Sequence, residues 1–318
     1  MTGQLSLFDH RPEDEKSTIK LGQELEQITL NKDIQGARLI DLIPEGATLA
    51  LTRNYSPRTI NISRILSLLE KRKSEKTKLT RDEIGEQLSM TYAVTQGTIN
   101  VMRKMDLIYP KNRITPFGSL VNSFSPYLDD SGLLWMLHYL LASNASLVLW
   151  SNLFNVVLAN REEITIHEAT ADFQILEGRW SEKSIKVKVP KELGAIFRTY
   201  TEDLFSDLRL FFKEDTGVYS INSNTEIIPP EVWLCAILVY RDFYYPRSSA
   251  LEVPLIVRAN YSPGRILRQN EANVRKALDE LHNIGILTVE TRSGLDQVRF
   301  KRDITWISAI ADYLQKKQ

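Results

Sequence analysis

The sequence predicts a mainly α protein with small β-hairpins, an α+β fold with a winged-helix unit at each end of a mostly helical middle domain. Three observations predict it. Two basic, helix-turn-helix-like segments lie near opposite ends, at residues 80–113 and 262–302. Between them, Leu133–Leu141 and Leu147–Leu158 are apolar all round, as buried helices are. Charge is sorted to match: residues 57–113 carry a net +6, residues 114–257 a net −7 and residues 258–302 a net +4. Forty basic and forty acidic side chains cancel over the whole chain, so only local patches can speak about partners.

A chain of 318 residues suits two or three domains. The predicted division is a tail and lead-in at 1–56, a DNA-binding winged helix at 57–118, a helical middle at 119–225 and a winged-helix-like unit with a final helix at 226–318. At 43% apolar and 25% charged, the composition is that of a soluble globular protein. A single cysteine, Cys235, within the apolar run Trp233–Tyr240, excludes a disulfide framework and a cysteine-based zinc site. The polar, charged opening and the short apolar runs predict a cytoplasmic protein with no membrane partner.

The elements follow in order. Residues 1–30 read as a mobile tail that carries Gln4, Leu5, Leu7 and Phe8. This short stretch resembles the pentapeptide with which many bacterial DNA-processing proteins dock on the replication sliding clamp. A tail that packs on its own domain would look the same. Ile62, Ile65, Leu66 and Leu69 recur at helical spacing. Thr80 and Glu83 then form a capping box, which starts a second helix. Ser89–Thr91 turn the chain into a third helix, from about Tyr92 to Met105.

That third helix is the predicted reader. Tyr92, Gln96, Asn100 and Arg103 share one polar stripe, flanked by Thr95 and Lys104. Asn and Gln can pair with adenine edges and Arg with guanine. Lys111 and Arg113 sit in the basic turn of a predicted wing. In the acidic middle, Ile185, Val187 and Val189 alternate with Lys186 and Lys188, which predicts a half-exposed strand. Ile196–Phe212 is predicted helical. Pro229-Pro230 precede a helix through Tyr240. In the last unit, Asn270 caps a helix to Asn283 that directs Arg275 and Lys276 outward. Gly285 ends it, and a hairpin follows that carries Arg292 and Arg299. Pro254 and Pro263 interrupt the helix expected before this pair. Ile304–Gln315 forms the last helix.

No phosphate loop, dinucleotide fingerprint, zincin motif or nucleophile elbow is present in the sequence. A nuclease needs only two or three converging carboxylates around a divalent metal, Mg or Mn. Asp129 and Asp130, with His138 further along, are the local candidates for that chemistry, and Glu162, Glu163, His167 and Glu168 are a second group. Each has a structural reading too: Asp129 and Asp130 at a helix start, with Ser131 as cap, His138 as a satisfied core histidine, and the glutamates as a solvated helix end.

One block carries a resemblance: Thr115-Pro116-Phe117-Gly118, Ser125–Asp130, Leu134–Leu141, Trp150 and Phe154-Asn155, with Ser262-Pro263-Gly264 near the end. Over roughly residues 50–290 the chain resembles an uncharacterised bacterial family linked to DNA phosphorothioation and phage-defence islands. That family is similar to the B component of single-strand phosphorothioation systems. The resemblance implies a DNA-nicking role beside a cysteine desulfurase, an ATPase and a sulfurtransferase-like reductase. It assigns no catalytic residue here. The turn at Leu88-Ser89-Met90-Thr91 departs from the Gly/Lys-rich turn of its members. Three functions stay open at this point: a DNA-binding, metal-dependent nickase, a non-enzymatic DNA-binding regulator, and a protein-docking adaptor.

Overall fold

The computed structural model describes residues 43–317, apart from 76–77, 224–227, 247, 293 and 302. The tail with Gln4, Leu5, Leu7 and Phe8 lies outside the described residues.

The first unit opens with α1 (Thr59–Lys71), which buries Ile62, Ile65, Leu66 and Leu69. Next comes α2 (Arg81–Leu88), whose capping box is formed as its sequence demands: Thr80 Oγ1 accepts the Glu83 N–H at 3.2 Å, and Glu83 Oε2 accepts the Thr80 N–H at 2.6 Å. The helix stops at Ser89, which is left-handed at φ 52°. After a short turn, α3 (Tyr92–Lys104) buries Ile99, Val101 and Met102. The hairpin of β1 (Ile108–Tyr109) and β2 (Arg113–Ile114) follows, with Tyr109 opposite Arg113. Then α4 (Pro116–Phe124) starts at the Thr115 cap.

The middle begins with α5 (Ser131–Ala142), buried from Gly132 to its end. Asp130, rather than Ser131, caps it by accepting the Leu133 N–H at 2.8 Å. Beyond it, α6 (Val148–Asn152) runs into one π-helical stretch, Leu153–Val157. An antiparallel sheet joins β3 (Glu163–Thr165), β4 (Phe211–Lys213) and β5 (Val218–Ile221) in the order β3-β5-β4. Between these strands lie α7 (Ile166–Asp172) and α8 (Glu182–Thr201).

Two expectations are corrected here. The predicted strand around Ile185 is the first half of α8. Ser181 caps the helix, and Ile185, Val189 and Leu193 are buried four residues apart, while Val187 is left exposed. Pro190 sits inside this helix. The second correction is at the helix predicted over 196–212, which ends at Thr201; the chain then turns through Ser206–Leu208 into β4. Phe197, Tyr200, Leu204, Leu208 and Phe211 are nonetheless all buried.

The last unit opens with α9 (Pro230–Tyr244). It continues through β6 (Ala250–Glu252) and the short helices α10 (Val253–Arg258) and α11 (Pro263–Ile266). Pro254 and Pro263 begin these short helices instead of breaking a long one, since proline lacks only an N–H that the first turn leaves unpaired. Asn270 caps α12 (Glu271–Asn283), and Gly285 follows at φ 71°. The hairpin β7 (Leu287–Arg292) and β8 (Leu295–Phe300) takes β6 as a third strand, in the order β6-β8-β7. The chain closes with α13 (Trp306–Gln315).

The apolar core is continuous from Ile43 to Leu314. Phe117 of α4 meets Trp306 of α13 edge to face at 5.1 Å, so the first and last units share packing. No described helix is long and apolar enough to cross a membrane.

Candidate nucleic-acid interface

The predicted reading stripe of α3 is not open. Residues 43–56, within the lead-in expected over 1–56, form a strap that runs between α3 and α8. Thr48 pairs with Leu147 as an isolated bridge. Further on, Glu192 of α8 accepts the N–H groups of Leu51 and Thr52 on one oxygen, Oε1, at 2.8 and 2.7 Å. Glu192 is fully buried, and burial raises its carboxyl pKa against the pull of those N–H groups. The strap backbone approaches α3 at Gly97, where a Cβ would stand 2.5 Å from the Thr52 carbonyl oxygen.

The predicted α3 residues therefore divide. Thr95 and Gln96 are buried, the Thr95 hydroxyl donating to Thr91 O at 3.0 Å. Asn100 is turned onto the strap, donating to Leu51 O at 3.4 Å. Lys104 reaches Ser146 Oγ at 3.2 Å. Only Tyr92, at the start of the helix, stands clear at 58% exposure, with the Arg53 guanidinium 6.0 Å from its ring centre. At the other end, Arg103 is half-buried and donates to Asn112 Oδ1 at 2.7 Å. The expected row of free hydrogen-bonding side chains is thus a buried contact with two open ends.

The wing turn is open. Lys111 and Arg113 are exposed, whereas Asn112 between them is buried and donates to Leu79 O at 2.9 Å. Lys111 and Asn112 are both left-handed, at φ 68° and 54°. In the last unit the predicted cations also divide. Arg275 forms ion pairs with Asp296 at 2.6 Å and Glu271 at 2.9 Å, and these raise its pKa. Arg299 pairs with Glu290 at 3.1 Å. Lys276 and Arg292 are exposed.

The catalytic candidates are not brought together. His138 is fully buried among the rings of Trp135, Phe154, Tyr200 and Phe205. Its Nδ1 lies 2.6 Å from the Tyr200 hydroxyl and its Nε2 3.1 Å from Ile266 O. Desolvation lowers its pKa to about 4, so it is a neutral core histidine at pH 7. Asp130 is spent on the α5 cap, the Lys317 ammonium at 2.9 Å and the Tyr313 hydroxyl at 3.2 Å. Asp129 is exposed and accepts from Ser125 Oγ at 2.9 Å. Of the second group, Glu162, Glu163 and Glu168 line an open cleft of about 390 Å³ together with Arg161, and His167 is exposed beside it. Glu168 is itself the partner of Thr165 in a capping box. Among the described residues no group of three or more His, Cys, Asp or Glu side chains is placed to hold a metal ion.

Sequence reasoning missed the strap and its anchor. Glu192 lies about 140 positions from the amides it binds, and no local pattern announces such a pair.

Fold and site together describe an α+β protein in which two helices joined by a short turn precede a basic hairpin and pack onto a buried aromatic middle. Residues 96–316 match the model of a family described as a protein of unknown function, DUF4007, and the chain belongs to that family. Two solved structures are similar to it in fold. One is described as "SspB crystal structure", at TM-score 0.69 and 17% identity, over 89% of this chain and 90% of that one. The other is described as "Magnesium ion-bound SspB crystal structure", at TM-score 0.67 with the same identity and coverage. None of the curated proteins matches the chain.

Proposed function

We propose that this chain is a DNA-binding component of a bacterial DNA phosphorothioate-modification and anti-phage defence system. The observation that supports this best is the α2–α3 pair followed by an exposed basic turn, in a chain that shares the SspB fold over nine-tenths of its length. On this reading the first unit is a winged helix. Lys111 and Arg113 meet phosphates, and Tyr92 enters the groove edge. In the last unit Lys276 and Arg292 are the available cations. Arg275 and Arg299, already ion-paired, contribute less. Partner proteins of the kinds implied by the resemblance belong to the same proposal: a cysteine desulfurase, an ATPase and a sulfurtransferase-like reductase.

Magnesium was present in one of the similar structures. Here Asp129, Asp130 and His138 do not fit a shared metal, because Asp130 is a cap and ion-pair partner and His138 is walled in by rings. No reaction step is derived through a metal on these residues. That observation favours a second reading, a DNA-binding regulator or protein-docking adaptor without catalysis.

Two experiments separate these. Gel-shift titration of a labelled duplex should give a complex that weakens about a hundredfold in Lys111→Ala/Arg113→Ala, at roughly 1.4 kcal/mol per lost charged contact. Unchanged binding in that variant would remove the wing from the account. Incubation of a supercoiled plasmid with Mg²⁺ or Mn²⁺, with and without partner proteins, tests nicking directly. Partners captured equally well after nuclease treatment, with no duplex binding, would favour the adaptor.

A further inference from the structure

The α3 stripe is closed by the strap, so base edges do not reach Gln96 or Asn100. What stays open at the start of α3 has a different chemistry, that of ring faces and a cation. Tyr92 is 58% exposed and Tyr55, on the strap, 49%. The Arg53 guanidinium stands 6.0 Å from the Tyr92 ring centre, at the outer limit of a cation–π contact. Arg53 is exposed and has no carboxylate partner among the described residues. A lone exposed ring is ordinary on a protein surface. Here two rings and a cation are gathered at one fixed turn.

That turn is held from several sides. The Tyr55 N–H donates to Thr52 O at 3.2 Å, and Arg53 and Asn54 between them are both left-handed, at φ 55° and 67°. This is a type I′ turn, which Asn accepts readily and Arg does not. Its first residue is anchored by the Thr52 N–H on Glu192. Its third is anchored by Asn54 O, which accepts from Arg198 Nη2 at 3.2 Å. Just beyond it, Ser56 Oγ donates to Asp203. Gly97 lets the Thr52 carbonyl lie against α3, the helix that Tyr92 begins. These contacts fix the backbone of Arg53 and Tyr55 relative to Tyr92. The rings stand on ordered backbone, so a ligand that covers them orders little more.

We propose that Tyr92, Tyr55 and Arg53 form a stacking platform for an unpaired nucleobase, in a single-stranded stretch that adjoins the duplex held by the wing. This rests on the DNA-binding reading and deepens it by assigning strandedness. A base inside a duplex has both faces covered by its neighbours, and the side chains that would read its edges are closed off here. An unpaired base offers a free face to Tyr92, and Arg53 supplies a cation for its ring or its phosphate. The occupant is nucleic acid rather than a protein side chain because α3 also leads into the basic wing turn, within residues 57–113 of net charge +6. Every base has a ring face, so the platform confers no sequence preference.

Fluorescence anisotropy with the full chain and three labelled DNAs tests this: a blunt duplex, the same duplex with a single-stranded tail, and the tailed duplex with abasic sites along the tail. The intact tail should bind about tenfold tighter than the abasic one, since a stacked base contributes roughly that factor. Both tails carry the same phosphates, so charge alone gives no difference. Tyr92→Ala should bring the ratio to about one, and Tyr92→Phe, which keeps the ring, should restore it. Tyr55→Ala and Arg53→Ala should each lower it in part. A 2-aminopurine placed in the tail should lose fluorescence on binding the parent chain and keep it on binding Tyr92→Ala. A merely structural role for the tyrosines would move the Tm without moving the abasic ratio. Equal affinity for the intact and abasic tails, with the blunt duplex still bound, would overturn the platform, leave the wing reading intact and return the two rings to protein docking. A ratio that survives Tyr92→Ala would overturn the assignment to this turn. A parent chain that binds none of the three DNAs would overturn both readings.

Discussion

Removing the Glu192 carboxylate should release the strap. Glu192→Ala leaves the N–H groups of Leu51 and Thr52 without the acceptor that now holds them at 2.8 and 2.7 Å. Leu51 and Thr52 are buried, so water reaches those donors only if the strap lifts. An unsatisfied buried donor costs about 1–3 kcal/mol, which puts the loss for two at roughly 2–6 kcal/mol. For a chain of this size that is a fall in Tm of roughly 3–9 °C. Differential scanning calorimetry reads the loss, and hydrogen exchange at Leu51 and Thr52 shows where it falls. Glu192→Gln keeps a carbonyl oxygen for the same two donors and should lose much less.

The pH dependence has a definite sign. Burial raises the folded-state pKa of Glu192 above its ordinary value of 4.5. The folded state therefore binds the proton more tightly than the unfolded state. The stability this supplies is present below 4.5 and is lost as pH rises through the raised folded value. The Tm of Glu192→Gln relative to the parent should consequently improve from pH 4 to pH 8. A Glu192→Ala protein that melts within about 1 °C of the parent, with unchanged exchange at Leu51 and Thr52, would refute the anchoring argument.

Three further outcomes are expected. Gly97→Ala drives a Cβ against the Thr52 carbonyl at 2.5 Å, so it should cost about 1–3 kcal/mol and speed exchange in the strap. His138, held down to about 4 by burial, contributes stability that is present above its ordinary 6.5 and lost as pH falls from 6.5 to about 4. That contribution amounts to about 3 kcal/mol, and a His138→Gln protein should lose stability less steeply across the same window in urea melts. Asp130→Ala removes the α5 cap and the Lys317 contact and should cost about 1–2 kcal/mol in thermal melts, whatever it does to DNA.

Local signals in the sequence carried most of the helices. The Thr80–Glu83 capping box, the Asn270 cap and Gly285 are short-range devices, and each stands where its residues require. The α8 segment misled because Lys186 and Lys188 alternate with apolar residues over a stretch too short to separate a period of 2 from one of 3.6. Ile185, Val189 and Leu193 reveal the helix only when the window extends past Pro190. The candidate site was less legible. The stripe through Gln96 and Asn100 lies on one helix face, yet its exposure depends on the strap and on Glu192, far away in sequence. The sequence places Asp130 at a helix start but gives the cap to Ser131, one residue on, and the Asp130 pairing with Lys317 joins residues 187 apart.

The salt dependence of duplex binding by the intact chain tests the central claim most directly. On the proposed reading, the exposed cations of the wing turn, Lys111 and Arg113, meet phosphates. With both engaged, log Kd should rise with log salt at a slope of about 2. A flat salt profile, or no duplex binding at low salt, would contradict the account.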